Sequence, residues 1–401
     1  MAQLRSKRLG FAALTSLATA ALMGGLTTLP AQAAPAEGRV LAADSPTAIK
    51  GSYLVTLKKS AGLKASSAAG KGLVKEYGGS VTKTFRTALN GYSATLSAAG
   101  ARQLAADPAV ASVEQNQRVT LAATQTNAPW GLDRVDQASL PLSGTYTYPD
   151  SAGSGVTVYV IDTGVRITHQ QISGRAAHGY DAVDGDNNAS DGNGHGTHVA
   201  TTIAGTTYGV AKKAKIVGVR VLNNSGSGTT AGVIAGIDWV TRNHSGPSVA
   251  NMSLGGGASA TLDTAVRNSI AGGVTYAVAA GNSSTTASSS SPARVAEAIT
   301  VGATTSTDAK ASYSNYGSAL DIFAPGSSIT AGWHTSDTAT NTISGTSMAT
   351  PHVAGAAAVH LAGHTSSTPA QVATALVNGA VTGKVTSAGS GSPNRLLQIV
   401  Q

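Results

Sequence analysis

A chain of 401 residues with 48 Gly, no Cys and 11% charged residues belongs to a folded protein with tight turns and small-residue packing, not to a disordered one. The net charge of +8 is spread unevenly: residues 34–122 carry eleven basic and five acidic residues, whereas 123–401 carry thirteen and fourteen. The larger part is therefore near neutral, with no basic stripe to track nucleic acid.

Arg5, Lys7 and Arg8 precede the apolar run GFAALTSLATAALMGGL, and the small-residue triplet AQA, Ala31 to Ala33, follows. That layout predicts a signal peptide over 1–33 and a secreted, extracellular protein. The run is short for a membrane span and no second one follows, so no stable membrane association is expected. Without Cys, the exported fold has no disulfide to hold it.

Residues 50–121 predict a small α+β unit. GSYLVTLKKS alternates as a strand does, and ASSAAGKGLVKEYG reads as a helix ending at Gly. VTKTFRTALNGYSATLS reads as two strands joined at LNG. A helix broken near Asp107-Pro108 and a last strand complete the order β-α-β-β-α-β, the ferredoxin-like pattern.

Residues 123–401 alternate between buried strands and helices. GVTVYVID, AKIVGVRVL, SVANMSLG, GVTYAVAAGN and AITVGAT are short apolar runs bounded by Gly, Asn or Ser. Near-continuous apolar strands predict a mostly parallel sheet with helices on both faces. Helices are expected in HGTHVATTIAGT, TTAGVIAGIDWVTRN, ATLDTAVRNSIAGG, SMATPHVAGAAAVHLAGHT and TPAQVATALVNGA.

In such sheets, chemistry gathers where strands end. One strand ends in Asp162 and another runs out to Asn282, while His195 and Ser347 each open a helix. Aspartate, histidine, serine and an amide are the parts of a hydroxyl-nucleophile hydrolase. Ser347 needs a base, and His195 titrates near neutrality. Asp162 would hold one imidazole tautomer. Ser347 at a helix start sets an oxyanion against free N–H groups, and Asn282 offers a second donor. The small residues Gly345, Thr346 and Ala349 would leave room for a substrate backbone. Pro351 falls in or just after the first helical turn, where a missing N–H costs least.

The blocks VIDTGV, GHGTHVAT and GTSMATPHVAG, in that order, resemble the three signature blocks of subtilisin-like serine proteases. QTNAPWGLDRV, NMSLGGG, AAGN and SNYGSALDIFAPG are similar to the proteinase K-like branch, which includes aqualysin-type enzymes. The resemblance covers essentially all of 123–401 and implies a subtilisin-like fold. It implies a secreted, monomeric serine endopeptidase acting on proteins and peptides through an acyl-enzyme. The catalytic residues would be Asp162, His195 and Ser347, with Asn282 in the oxyanion hole. Residues 50–121 resemble the core of the family's propeptide, an inhibitor domain that assists folding, would span 34–122 and is cut away near Ala123. Ser253, Leu254, Gly255 and Gly256 would line one edge of the substrate cleft; Ser225, Gly226, Ser227 and Gly228, in the segment from Asn224, would line the other. Neither segment holds a charge, so apolar or aromatic residues before the cut are expected.

The resemblance also implies structural calcium. Asp321 with the carbonyls of Ala296 and Ala298 would form one site. Asp133, Asp136 and Gln137, with Ser143 possible as a further ligand, would form another. The acidic loop of Asp181, Asp184, Asp186 and Asp191 is either a third site or a solvated loop; it lacks the EF-hand glycine. Three rival readings are weaker. An aspartic protease needs a second DTG or DSG, which the chain lacks. A lipase would place its serine in G-x-S-x-G, and Ser347 sits in GTSMA. A non-catalytic binding scaffold would not keep every catalytic group.

Overall fold

The structure, a computed structural model, describes residues 35–43, 45, 48–117 and 122–399. The expected signal peptide lies outside the described residues. By contacts the chain divides into two compact units: the smaller takes residues up to Leu41 and Gly51–Gln115, and the larger takes Ala42–Lys50 and the chain from Asn116.

The smaller unit has the strand and helix order that its sequence implies. Strand Ala48–Leu57 leads to helix Ala68–Glu76, strands Ser80–Phe85 and Gly91–Thr95, helix Ala98–Ala105 and strand Val110–Gln117. In space the last strand lies beside the first, followed by the third and the second, with the short strand Val40–Leu41 added at the edge. Ser67 and Ser97 cap the two helices, each accepting from the N–H three residues on. Both helices lie over one core of Val55, Leu73, Val74, Tyr92, Leu104 and Val113. Asn90, read as part of a hairpin turn, bonds across to Ala65 N and Leu63 O and so fastens another loop.

The larger unit is built on a nine-stranded sheet, parallel except at its last strand pair. Strand Thr157–Asp162 enters it first. The chain then adds Ala176–Asp181 and Lys215–Arg220 on one side. It returns to add Ser248–Met252, Thr275–Ala279, Ile299–Thr304 and Ile322–Pro325 on the other. The reversal leaves a crevice at the carboxyl ends of the central strands, the usual place for a ligand in such sheets.

The central strands read as continuous apolar runs because both faces are covered. Val158 and Val160 point into a core shared with helices His195–Ala204 and Thr346–Gly363. Tyr159 and Ile161 point to the opposite core, under helices Thr230–Asn243 and Ala260–Ala271. Helix Thr346–Gly363 is buried along most of its length and is rich in Ala and Gly. A Cβ on Gly355 would stand 2.6 Å from the Val210 side chain, so only glycine permits this approach. Strands absent from the sequence reading include Ala176–Asp181, Ile322–Pro325 and the hairpin Ile329–Gly332 with Thr340–Ile343. Strand Ala122–Thr126 pairs antiparallel with Thr145–Pro149 outside the main sheet. No helix among the described residues is long and apolar enough to cross a membrane.

Without disulfides, the larger unit uses a buried ion pair across its sequence. Arg134, fully buried, donates Nε to Asp308 Oδ1 at 2.7 Å and Nη2 to Oδ2 at 3.0 Å. Its Nη1 donates to Gln137 O at 2.6 Å. Removing one partner strands a buried charge, so Arg134→Met should cost about 3–5 kcal/mol in urea unfolding. A loss under about 1 kcal/mol would show that the pair holds little together.

Candidate active site

Two glycines set the geometry of the Asp162–His195 pair. The turn after strand Thr157–Asp162 carries Gly164 at φ +108°, a conformation that favours glycine. A Cβ on Gly196, beside His195, would lie 2.0 Å from Gly164 O. The helix start can therefore press its backbone onto the strand end. His195 Nδ1 consequently stands 2.7 Å from Asp162 Oδ1. Asp162 is fully buried and also accepts from Thr163 N at 2.7 Å. Its Oδ2 is buried with no partner among the described residues.

Burial opposes the imidazolium of His195. The charge and hydrogen bond of Asp162, with Asp191 adding to them, outweigh that opposition and hold its pKa above the ordinary value. Asp191, grouped by sequence with the acidic loop, ties down the turn that leads into His195. Its Oδ1 accepts from Thr163 Oγ1, Asn193 N and Gly194 N, and its Oδ2 from Thr197 N and Oγ1. The rest of that loop folds on Arg220, which donates to Asp181 and Asp184.

Ser347 is the second residue of its helix, so its N–H is one of the first four, without an intrahelical acceptor. The neighbouring Thr346 donates N–H at 2.8 Å and Oγ1 at 2.9 Å to Asn282 Oδ1. Those donors fix the amide orientation and occupy Oδ1, leaving Nδ2 as the donor end of a side chain that lines one cavity with Ser347. Thr346 and Ala349 are fully buried. Thr346 nevertheless lines the cavity beside Asn282 and Ser347, whereas Ala349 lies wholly in the core.

Pro351 is the sixth residue of the helix. Its missing N–H would have bonded Ser347 O, so the proline is not free of cost there. Ser253 Oγ fills the gap, donating to Ser347 O at 2.8 Å, and accepts in turn from the buried Asn251 Nδ2 at 2.9 Å. Ser347 Oγ donates to Ser253 O at 3.1 Å. The nucleophile candidate and the cleft wall are thus linked in both directions.

Two cavities flank this centre. One, of 360 Å³, lies among Gly255, Gly256, Ala279, Ala280, Asn282 and Ser347, and none of its lining residues is charged. The other, of 460 Å³, runs from His195 past Leu222, Gly226, Ser227 and Gly228 to Ser253, Leu254 and Gly256. Ser225 lines neither. A Cβ on Gly256 or Gly257 would meet nothing within 4 Å. Their bareness is not required by the protein's own packing and leaves space in the cleft.

The calcium candidates differ in their surroundings. Asp133 is satisfied by Ser143 N, Ser143 Oγ and Gly144 N. Asp136 accepts from Thr147 N through Oδ2, but its Oδ1 is buried without a partner among the described residues. Burial, with the charge of Asp133 adding to it, raises the pKa of Asp136. Gln137 Nε2 donates to the carbonyls of Ser139 and Pro141. This loop has two adjacent carboxylates, an orphan oxygen and clustered carbonyls, a donor set that fits a hard cation. Asp321 accepts from Thr300 N, and burial pushes its pKa up to about 6. It lies beside the segment holding Ala298, which is buried, and Ala296, which is exposed. Among the described residues, no three acidic or histidine side chains converge on one point.

Residues 153–397 match the subtilase family, and residues 52–122 match the peptidase inhibitor I9 family. The chain belongs to the subtilase family. It is 51% identical to an extracellular serine proteinase of Thermus sp. over 94% of this chain and 96% of that one. It is 52% identical to alkaline serine exoprotease A of Vibrio alginolyticus, over 79% of this chain and 60% of that protein. A cold-adapted subtilisin-like serine proteinase of known crystal structure shares 55% identity and a TM-score of 0.67, over 69% of this chain and all of that one. As a subtilase the chain is a serine protease, a hydrolase, and it carries its own inhibitor propeptide domain.

The other polar groups near the site have plainer roles. His198 and His352 are buried, and burial lowers both pKa values to about 4. His198 Nε2 bonds Ile329 O and His352 Nδ1 bonds Met348 O, so both pack as neutral rings. Trp239 packs against Tyr159 and Tyr180, and Trp333 against His198.

Two substitutions test the geometry. Gly196→Ala must push the His195 turn off Gly164, and kcat should fall by about 100-fold. Activity near wild type would show that the contact yields without cost. Asp162→Asn should lower kcat by about 10⁴. It should also move the acid limb of the pH–rate profile downward, because the raising charge is gone and His195 stays neutral to lower pH. An unmoved acid limb would separate Asp162 from the titration of His195.

Proposed function

We propose that the chain is a secreted serine endopeptidase in which Asp162, His195 and Ser347 act as the triad and Asn282 as an oxyanion donor. The observation that carries this reading is the 2.7 Å bond between His195 Nδ1 and the buried Asp162, in the same unit as a helix-start serine with a free N–H.

The reaction then runs as follows. His195 Nδ1–H stays bonded to Asp162, which leaves Nε2 as the base. Ser347 turns its hydroxyl hydrogen from Ser253 O to Nε2 as Oγ attacks the scissile carbonyl. The Ser347 N–H and Asn282 Nδ2 donate to the oxyanion. His195 gives the proton to the leaving amine, and the acyl-enzyme remains. Water enters, loses its proton to His195 and releases the acid and the serine.

The substrate lies extended between the Ser225–Gly228 edge and the Ser253–Gly256 edge and bonds through main-chain groups. The uncharged 360 Å³ cavity takes the side chain before the cut, which favours apolar and aromatic residues. The precursor comprises a signal peptide over 1–33, an inhibitor propeptide over 34–122 and a catalytic domain over 123–401. The enzyme cuts its own chain near Ala123, at the start of strand Ala122–Thr126, and works as a monomer. Calcium is held by Asp133, Asp136 and Gln137 and by Asp321 with the carbonyls of Ala296 and Ala298. Bound there, it would supply positive charge to the buried carboxyls of Asp136 and Asp321, in place of disulfides.

Asn282→Ala should lower kcat by about 10²–10³ with a smaller change in KM. Near-normal turnover would remove the amide from the mechanism. In a peptide library, cleavage should favour Phe, Tyr and Leu before the cut, and cleavage only after Lys or Arg would overturn the cavity assignment. Chelator should lower the melting temperature of the protein, with Asp136→Asn showing a smaller drop. A melting temperature indifferent to chelator would end the calcium reading.

A further inference from the structure

Arg220 is the last residue of strand Lys215–Arg220, where it stands in register with Asp162 on one side and Asp181 on the other. It is 8% exposed, and its Nε is buried with no partner among the described residues. One arm of its fork, Nη1, donates to Asp181 Oδ2 at 2.6 Å and Asp184 Oδ2 at 2.5 Å. The other arm, Nη2, donates to Asn224 Oδ1 at 3.0 Å. The main chain of Asn224 continues the link. Its carbonyl accepts from Asn193 Nδ2 at 2.9 Å, and Asn193 Oδ1 accepts from His195 N at 3.2 Å.

The contact is close on both sides. A Cβ on Gly192 would lie 2.3 Å from Asn224 Oδ1, so the catalytic turn and the 224 segment touch through a bare glycine. The segment that follows is otherwise closed on itself: Asn223 N donates to Ser227 O, and Asn223 Oδ1 accepts from Ser225 N and Ser227 N. That small loop is cross-bonded within itself, and among the described residues its side-chain hydrogen bonds to the body are those at Asn224.

We propose that Arg220 is a positioning residue for extended substrates. Its planar fork fixes the Ser225–Gly228 edge against the catalytic turn by holding Asn224 with one arm and the acidic loop with the other. The chemistry favours arginine over lysine, because an ammonium is a point charge and does not offer two rigid arms. The proposal rests on the reading of 225–228 as a substrate edge, and the test separates the two.

The measurement is kcat/KM for a tetrapeptide amide and for a single-residue amide with the same side chain before the cut. Active sites are counted by titration with a phosphonate, so unfolded protein does not enter. Wild type should prefer the tetrapeptide; no gain from length would defeat the edge reading itself. Arg220→Gln should cut the gain about tenfold, through KM and not kcat. Asn224→Ala, which keeps the Arg220–Asp181 pair and so the fold, should raise KM for the tetrapeptide to a similar degree. A wild-type gain that survives in Arg220→Gln would overturn the proposal. Arg220→Lys should recover only part of the gain, and full recovery would show that charge alone suffices and that the fork is not used.

Discussion

The backbone contact between Gly164 and Gly196 is the constraint on which the site depends. Asp162 ends a strand and His195 begins a helix, and elements of this kind normally stand apart by the width of their side chains. Here Gly164 O occupies the place where a Cβ on residue 196 would be. The helix closes on the strand end, and the imidazole meets a buried carboxylate at 2.7 Å. Asp191 then pins the same turn through five hydrogen bonds, so the position does not rest on the glycine contact alone.

The sheet serves this arrangement. With both faces buried, its central strands have no freedom to slip, since most of their apolar side chains are packed in one core or the other. Their carboxyl ends therefore become fixed points. Asp162 ends one such strand, Ser253 and Asn282 follow the ends of two others, and Ser347 is tied to those two, through Ser253 and through the Thr346–Asn282 pair. The proline in the Ser347 helix belongs to the same system: it frees a carbonyl, and the cleft wall takes it.

What the sequence revealed followed the physics of local pattern. Strands such as Thr157–Asp162 were legible because two buried faces leave an unbroken apolar run. Asp162 stands out in the sequence because it ends an apolar strand, and His195 and Ser347 because each opens a helix. Ala176–Asp181 was not legible, since its run AAHGYD holds a His and a Gly. Gly179 is there because the Trp239 ring stands 2.7 Å from its Cβ position, a partner that local sequence cannot show. The Arg220 network was hidden for the same reason, since its aspartates lie 36 and 39 residues away. The role of Asp191 was misplaced because its spacing to the other acids suggested one loop, whereas the fold divides that loop between Arg220 and the catalytic turn. Pro351 lies one turn further into the helix than a cost-free proline would, and the carbonyl it exposes, on Ser347, has its partner in Ser253, which local sequence cannot show.

The central claim is that one serine, at the start of the long buried helix, is the nucleophile of a self-processed enzyme. It is tested most directly by treating the secreted protein with an organophosphonate serine probe and mapping the intact mass and the peptides. A single adduct on Ser347, in a chain that begins near Ala123, is the result the account predicts. An unlabelled Ser347, or an adduct on another serine in a chain cleaved near Ala123, would contradict it.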